Sequence, residues 1–212
     1  MNLETFIPAF VTFFVVIDPV GIAPVFASLT SGATAPHRRL MAIKSVFIGA
    51  IILLGFAFGG EWLLGAIGIS IDAMRASGGV LLFIIALEMV FEKRSERRQT
   101  RADEVAEKRE TPQEDVSVFP LAIPMIAGPG SIATIMLLMQ RSGGDIAASG
   151  TVIAAVGANL ALCLICFLAA SKIMALLGQT VSMTISRILG VILAALAAQL
   201  IFDAIKNTFL IG

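Results

Sequence analysis

A chain of 212 residues with 58% hydrophobic and only 14% charged side chains departs far from a soluble domain, where about half of the residues are apolar and about a quarter charged. Its 15 basic and 15 acidic residues cancel, which leaves no basic stripe for nucleic-acid phosphates, and the hydrophobicity is too high for disorder. Two Cys exclude a disulfide-rich framework, and one His excludes a multi-His metal centre. What remains is an integral membrane protein whose first partner is the lipid bilayer, with no nucleic acid, cofactor or metal implied.

Apolar runs long enough to cross about 30 Å of hydrocarbon, roughly 20 residues each, lie at about 6–29, 41–60, 73–91, 118–140, 149–170 and 187–205. None alternates as an outer-membrane strand does. The expected fold is an all-α membrane protein of six transmembrane helices, one membrane domain over 1–212. The acidic start Met1-Asn2-Leu3-Glu4 argues against a cleaved signal peptide, so the first run reads as a retained span.

The first run holds Pro8, Pro19 and Pro24, and the fourth holds Pro120, Pro124 and Pro129; the other four runs hold no proline. An interior proline removes a backbone bond and clashes with the preceding turn, at about 3 kcal/mol. Membrane helices tolerate this where buried groups or water satisfy the freed carbonyls. Both runs are expected to break near the midplane, at Asp18-Pro19-Val20-Gly21 and at Gly128-Pro129-Gly130-Ser131. A carboxylate at a helix centre costs about 2.5–3.5 kcal/mol on insertion scales, so Asp18 needs a partner or a role. It either caps the helix that Pro19 opens or carries a proton through a transport cycle. Glu61, Asp72, Glu88 and Asp203 lie near span ends, within reach of water, and His37 beside Arg38 and Arg39 reads as a solvated loop residue.

Between the third and fourth runs, residues 92–117 carry seven basic and eight acidic side chains, half the charge of the protein. Spacings such as Glu104–Lys108 suit a solvated helix, with a disordered segment the alternative, and this loop reads as a connector without chemistry. Twelve basic residues fall on its side of the membrane, against Arg75, Arg141 and Lys206 on the other. Basic residues stay in the cytoplasm, which predicts an internal 92–117 loop and two external termini.

The second half echoes the first. Pro19-Val20-Gly21-Ile22-Ala23 matches Pro129-Gly130-Ser131-Ile132-Ala133, and Leu63–Gly68 matches Ile173–Gly178, both at a shift of 110; Arg75-Ala76-Ser77-Gly78 pairs with Arg187-Ile188-Leu189-Gly190 at 112. Two halves of three spans, 1–91 and 118–212, would enter the membrane from opposite sides as an inverted repeat. Interrupted segments at matching places then point to a midplane binding site. Helix starts at Pro19 and Pro129 expose unpaired N–H groups and a positive dipole end, able to hold a carboxylate without a basic side chain. Free carbonyls near Ile17 and Ala127, with Asp18, would accept from an ammonium. Gly21, Gly128 and Gly130 would leave room, and Ser131 would add a hydroxyl. The candidate site for a small zwitterionic solute is therefore Asp18, Pro19, Gly21, Gly128, Pro129, Gly130 and Ser131.

The chain resembles the MarC/SnatA family of multi-pass inner-membrane proteins over essentially its whole length. The resemblance rests on Asp18-Pro19-Val20-Gly21-Ile22-Ala23-Pro24-Val25-Phe26, Gly68-Ile69-Ser70-Ile71-Asp72 with Arg75-Ala76-Ser77-Gly78-Gly79, Pro120–Gly130 and Arg187-Ile188-Leu189-Gly190. Many members have Asn where Asp18 stands here. The similarity implies six spans in two inverted halves and kinship to exporters of the LysE type. It also implies carriage of small neutral amino acids such as glycine and alanine.

The functional expectation is a secondary transporter of the bacterial or archaeal inner membrane, not an enzyme, open to proton or sodium coupling and to homo-oligomer formation. Neither a H-E-x-x-H nor a G-x-S-x-G motif occurs. Two alternatives compete. Cys163-Leu164-Ile165-Cys166 would suit an intramembrane thiol redox carrier, although the positions 110 earlier, Leu53 and Phe56, hold no thiol. A scaffold or stress-related protein without transport would use small-residue stripes, Gly55 with Gly59 and Ala194–Ala198, for helix contact, but has no need of paired breaks.

Overall fold

The computed structural model describes residues 3–108, 111 and 113–209, with the helical backbone alone for 174–180. Arg109 and Pro112 of the charged loop, Met1 and Asn2, and the Met174–Gly178 side chains of the repeat comparison lie outside the described residues.

Helices α1 (Leu3–Ile17) and α2 (Pro19–Leu29) follow one another across the single residue Asp18. Together they make one apolar stretch of 27 residues with mean hydropathy 2.1. Pro19 opens α2 because a helix has no use for an N–H at its first position. Asp18 turns out of helical geometry at φ 58°, ψ 63°, a left-handed conformation that short polar side chains tolerate. Helices α3 (Ala35–Ala66) and α4 (Ile71–Val90) follow, so Pro36, His37, Arg38 and Arg39 belong to the start of α3 rather than to a loop.

The charged segment forms helix α5 (Lys93–Glu107), solvated on one face as expected but docked on the bundle by the other. It packs against α2 and α4, and Arg94, Arg98 and Ala102 are buried. Segment Ser117–Ile126 comes next, then α6 (Pro129–Arg141), α7 (Ile146–Leu168) and α8 (Ala170–Phe209). Among the described residues five stretches are long and apolar enough to cross a membrane, or six if Ser117–Ile126 and α6, bent by 53°, form one span. The fourth run is more broken than the sequence suggests. Phe119 and Ile123 are extended, at ψ 128° and 124°, because each precedes a proline whose ring disfavours the helical conformation there. With 13 residues, α6 extends about 20 Å.

The α1–α2 stretch is well covered, with 56% of its most apolar 18-residue window buried, against 22% for that of Val181–Phe209 in α8. Phe13 and Ile17 join one core with residues of α2, α3, α6 and α7, and Phe26 stacks on Phe167 at 4.5 Å. Val15 and Val16 join a second core with Leu82, Ala86, Leu193 and Ala197 of α4 and α8. Those two helices run antiparallel: a Cβ on Gly79 would stand 3.0 Å from the Ala197 carbonyl, and one on Gly190 would stand 3.1 Å from that of Ala86. Phe47, Phe58, Trp62 and Phe202 point outward, an arrangement that lipid accepts and water does not. Polar links mark two ends. Asn207 reaches Asp72 and Arg141 pairs with Asp203 at one, while Lys44 pairs with Asp115 and Arg187 with Glu92 at the other.

Candidate functional site

Where α1 stops, its last carbonyls lose their intrahelical donors. Helix α5 supplies them. Arg94 Nη2 donates to the Val16 carbonyl at 2.5 Å, and Arg98 Nη2 donates to that of Ile17 at 3.2 Å. Arg98 Nη1 also pairs with Asp18 Oδ2 at 2.9 Å. The other Asp18 oxygen accepts the Gly21 N–H at 3.0 Å and so caps α2. Ser186 of α8 donates to the same carboxylate at 3.2 Å. Asp18 is 1% exposed, with cap, ion pair and hydroxyl all in place. Of the carbonyls expected to receive a solute ammonium, those at the end of α1 are thus occupied by guanidinium groups of the chain itself.

Both arginines hold their charge at a cost. Burial, then repulsion from Arg98, pushes the Arg94 guanidinium down to about 9; burial likewise lowers Arg98, with Asp18 opposing it. Arg94 therefore remains charged at neutral pH. Removing Arg98 would leave the Asp18 carboxylate buried and uncompensated, and removing Arg94 would leave the Val16 carbonyl without its donor.

The start of α6 is built differently. Gly128 occupies the cap position with no side chain to bond the first turn. The first intrahelical bond runs from Ile132 N–H to the Gly128 carbonyl, so the N–H groups of Gly130 and Ser131 precede it and point out of the helix. Gly130 and Ser131 line a cavity of about 290 Å³ together with Arg94, Arg97, Arg98 and Arg101 of α5. Val16, the end of α1, also lines it, so the structure brings the two interruptions together there. Gly128, Pro129, Gly130 and Ser131 share this cavity. Gly21 opens instead on a separate one of about 280 Å³ beside Glu92, Glu96 and Asp103. A larger cavity of about 650 Å³ lies toward the opposite end, beside Glu61, Asp72 and Gln140.

The three glycines line cavities and also let the chain pack closely. A Cβ at Gly21 would stand 2.1 Å from Asp18 Oδ2, one at Gly128 2.3 Å from the Pro124 carbonyl, and one at Gly130 2.5 Å from Ile85. Each lets the chain pack on itself.

The residues that sequence reasoning missed lie mostly on α5. Arg94, Arg97, Arg98 and Arg101 recur at the spacing of one helical face, the period that marks an amphipathic helix. That stripe was the available signal. Ser186 and Asn159 carried none: Asn159 is fully buried and donates from α7 to the Phe10 carbonyl of α1 at 3.0 Å. Among the described residues no three His, Cys, Asp or Glu gather as metal ligands. Cys163 and Cys166 pack in the core.

A helical bundle with an outward apolar surface and charged groups paired at its ends defines a multi-pass integral membrane protein. The chain belongs to the MarC family of integral membrane proteins, whose family model matches residues 3–209. It is 35% identical over 210 residues to a UPF0056 membrane protein of Methanocaldococcus jannaschii, covering 99% of this chain and 100% of the relative. The UPF0056 membrane protein YvbG of Bacillus subtilis is 35% identical over 209 residues, 99% and 98% of the two chains. YhcE of Escherichia coli is 37% identical over 204 residues, 94% and 91%. No solved structure matches the chain.

Proposed function

We propose that the protein is a secondary carrier, not an enzyme, that moves a small carboxylate-bearing solute, with glycine and alanine the solutes its family resemblance implies. The observation that carries this reading is the uncapped start of α6 inside the bundle, opening on a cavity beside the end of α1. A buried helix start without a side-chain cap is costly in a scaffold and useful in a carrier, where the solute completes it. The packing of both cysteines in the core supports a space-filling role over thiol redox chemistry.

Two three-helix halves, 1–91 and 118–212, rocking around this region would alternate access between the end cavities. In support, the cap residues Asp18 and Gly128 of α2 and α6 stand 110 residues apart, each followed by proline. Arg38, Lys44 and α5 lie at the end away from Arg75 and Arg141, which supports a cytoplasmic α5 and external termini in an inner membrane. Uptake of labelled glycine and alanine into proteoliposomes, with and without proton and sodium gradients, tests the proposal. Saturable uptake is expected, and gradient dependence would identify the coupling ion. Absence of flux for every solute in a panel extended to anions and drugs would overturn it.

A further inference from the structure

The arginine-lined cavity carries more positive charge than its own residues neutralise. Arg98 is paired with Asp18, and Arg97 is held by both oxygens of Glu88, at 2.6 and 2.8 Å. Arg94 meets only neutral acceptors, the Val16 carbonyl and the Met89 sulfur at 3.0 Å. Arg101, half-buried, has no ion-pair or hydrogen-bond partner among the described residues. Two of the four guanidinium groups that line the cavity thus have no carboxylate in direct contact, with Asp18 and Glu88 acting on Arg94 only through space. The start of α6 adds its uncapped N–H groups and the Ser131 hydroxyl. Ser131 is 3% exposed and its hydroxyl bonds no described residue. No acidic side chain lines the cavity, and the carbonyls at the end of α1 are taken by Arg94 and Arg98. Such a wall stabilises an anion twice over, by free charge and by the dipole end of α6, and offers an ammonium no carboxylate.

We infer that this cavity is a binding site for a net-negative group, a carboxylate or a phosphate, in preference to a neutral zwitterion. The inference rests on the cavity being the solute site of the carrier proposed above and replaces glycine and alanine there by an anion, and it is tested on binding alone. The anion is a free solute or the headgroup of an anionic lipid.

The test is the full chain in nanodiscs of phosphatidylcholine, titrated with succinate, inorganic phosphate or glycine while its thermal unfolding is followed. Ligand bound to the folded state alone raises the unfolding temperature. Succinate and phosphate should do so, and glycine should neither do so nor compete. Arg101→Gln sits at a half-exposed position and folds; it should weaken the anion about tenfold, one charged hydrogen bond. Arg101→Lys should recover most of the affinity, and Ser131→Ala should lose a smaller part. Repeating the titration with phosphatidylglycerol in the disc separates the two sources. An anion response that vanishes there assigns the site to a headgroup, and one that persists assigns it to a free solute. Equal stabilisation by glycine, or anion affinity unchanged in Arg101→Gln, would overturn the inference. Glycine flux with no anion binding would leave the carrier standing without this site; anion binding with no flux of any solute would do the reverse.

Discussion

Uncoupling Asp18 from Arg98 is the perturbation with the largest expected effect. The pair is 2.9 Å apart with side chains 2% and 9% exposed. Asp18→Asn keeps the left-handed conformation, which Asn tolerates, and keeps an oxygen for the Gly21 N–H. What it removes is the charge opposite a buried guanidinium. Breaking a buried pair by deleting one partner costs about 3–5 kcal/mol, because the other charge is left without compensation. Arg98→Met should cost a similar amount and also free the Ile17 carbonyl, worth about 1 kcal/mol. The double variant leaves neither member of this pair as a lone charge, so its loss should fall well below the sum of the singles, giving a coupling of about 2–3 kcal/mol. Equilibrium unfolding in mixed micelles measures the cycle. Ala102, fully buried on α5, reports docking: a cysteine placed there should stay protected from maleimide in the parent protein and label rapidly in each single variant. Losses that add within about 0.5 kcal/mol, with Ala102→Cys protected throughout, would refute the view that this pair holds α5 in place.

Three further outcomes follow from the same coordinates. Gly21→Ala should destabilise by about 2 kcal/mol, since its Cβ would fall 2.1 Å from the Asp18 carboxylate and displace cap and ion pair together; Gly55→Ala and Gly59→Ala, with nothing within 4 Å, should leave unfolding unchanged or slightly improved by helix propensity. Burial raises the Asp115 pKa, but hydrogen bonds from Lys44 and from the Ser117 side chain and backbone outweigh it and bring it down to about 2. Because the folded value is depressed, this stabilisation is present above about pH 4 and lost as pH falls through about 2; Asp115→Asn should remove that acid-dependent part of the unfolding curve. A cysteine replacing the exposed Glu104 of α5 should resist an impermeant reagent in intact cells and react in inverted vesicles, and the opposite pattern would reverse the topology.

Much of this protein is written along the chain. The apolar runs predict its long helices because a bilayer imposes length and hydropathy on each segment by itself, and α3, α4 and α7 differ from the expected runs only at their ends. Pro19 and Pro129 open helices because proline's missing N–H is a local property. The difference between those two helix starts could not be read locally. Asp18 bends back to cap α2 because α5 and Ser186 compensate its charge, whereas Gly128 leaves α6 open because the Pro124 carbonyl takes the space of any side chain there. Residues 92–117 mislead for the same reason. By composition they are a soluble connector, since hydropathy counts each charge as if it faced water. Tertiary packing instead pairs Arg94 and Arg98 with groups 78 and 81 positions earlier in the chain. A charge satisfied only across the fold cannot be priced from its neighbours in sequence. The spans were therefore decided by the chain, and the arginine wall of the cavity by the way it folds.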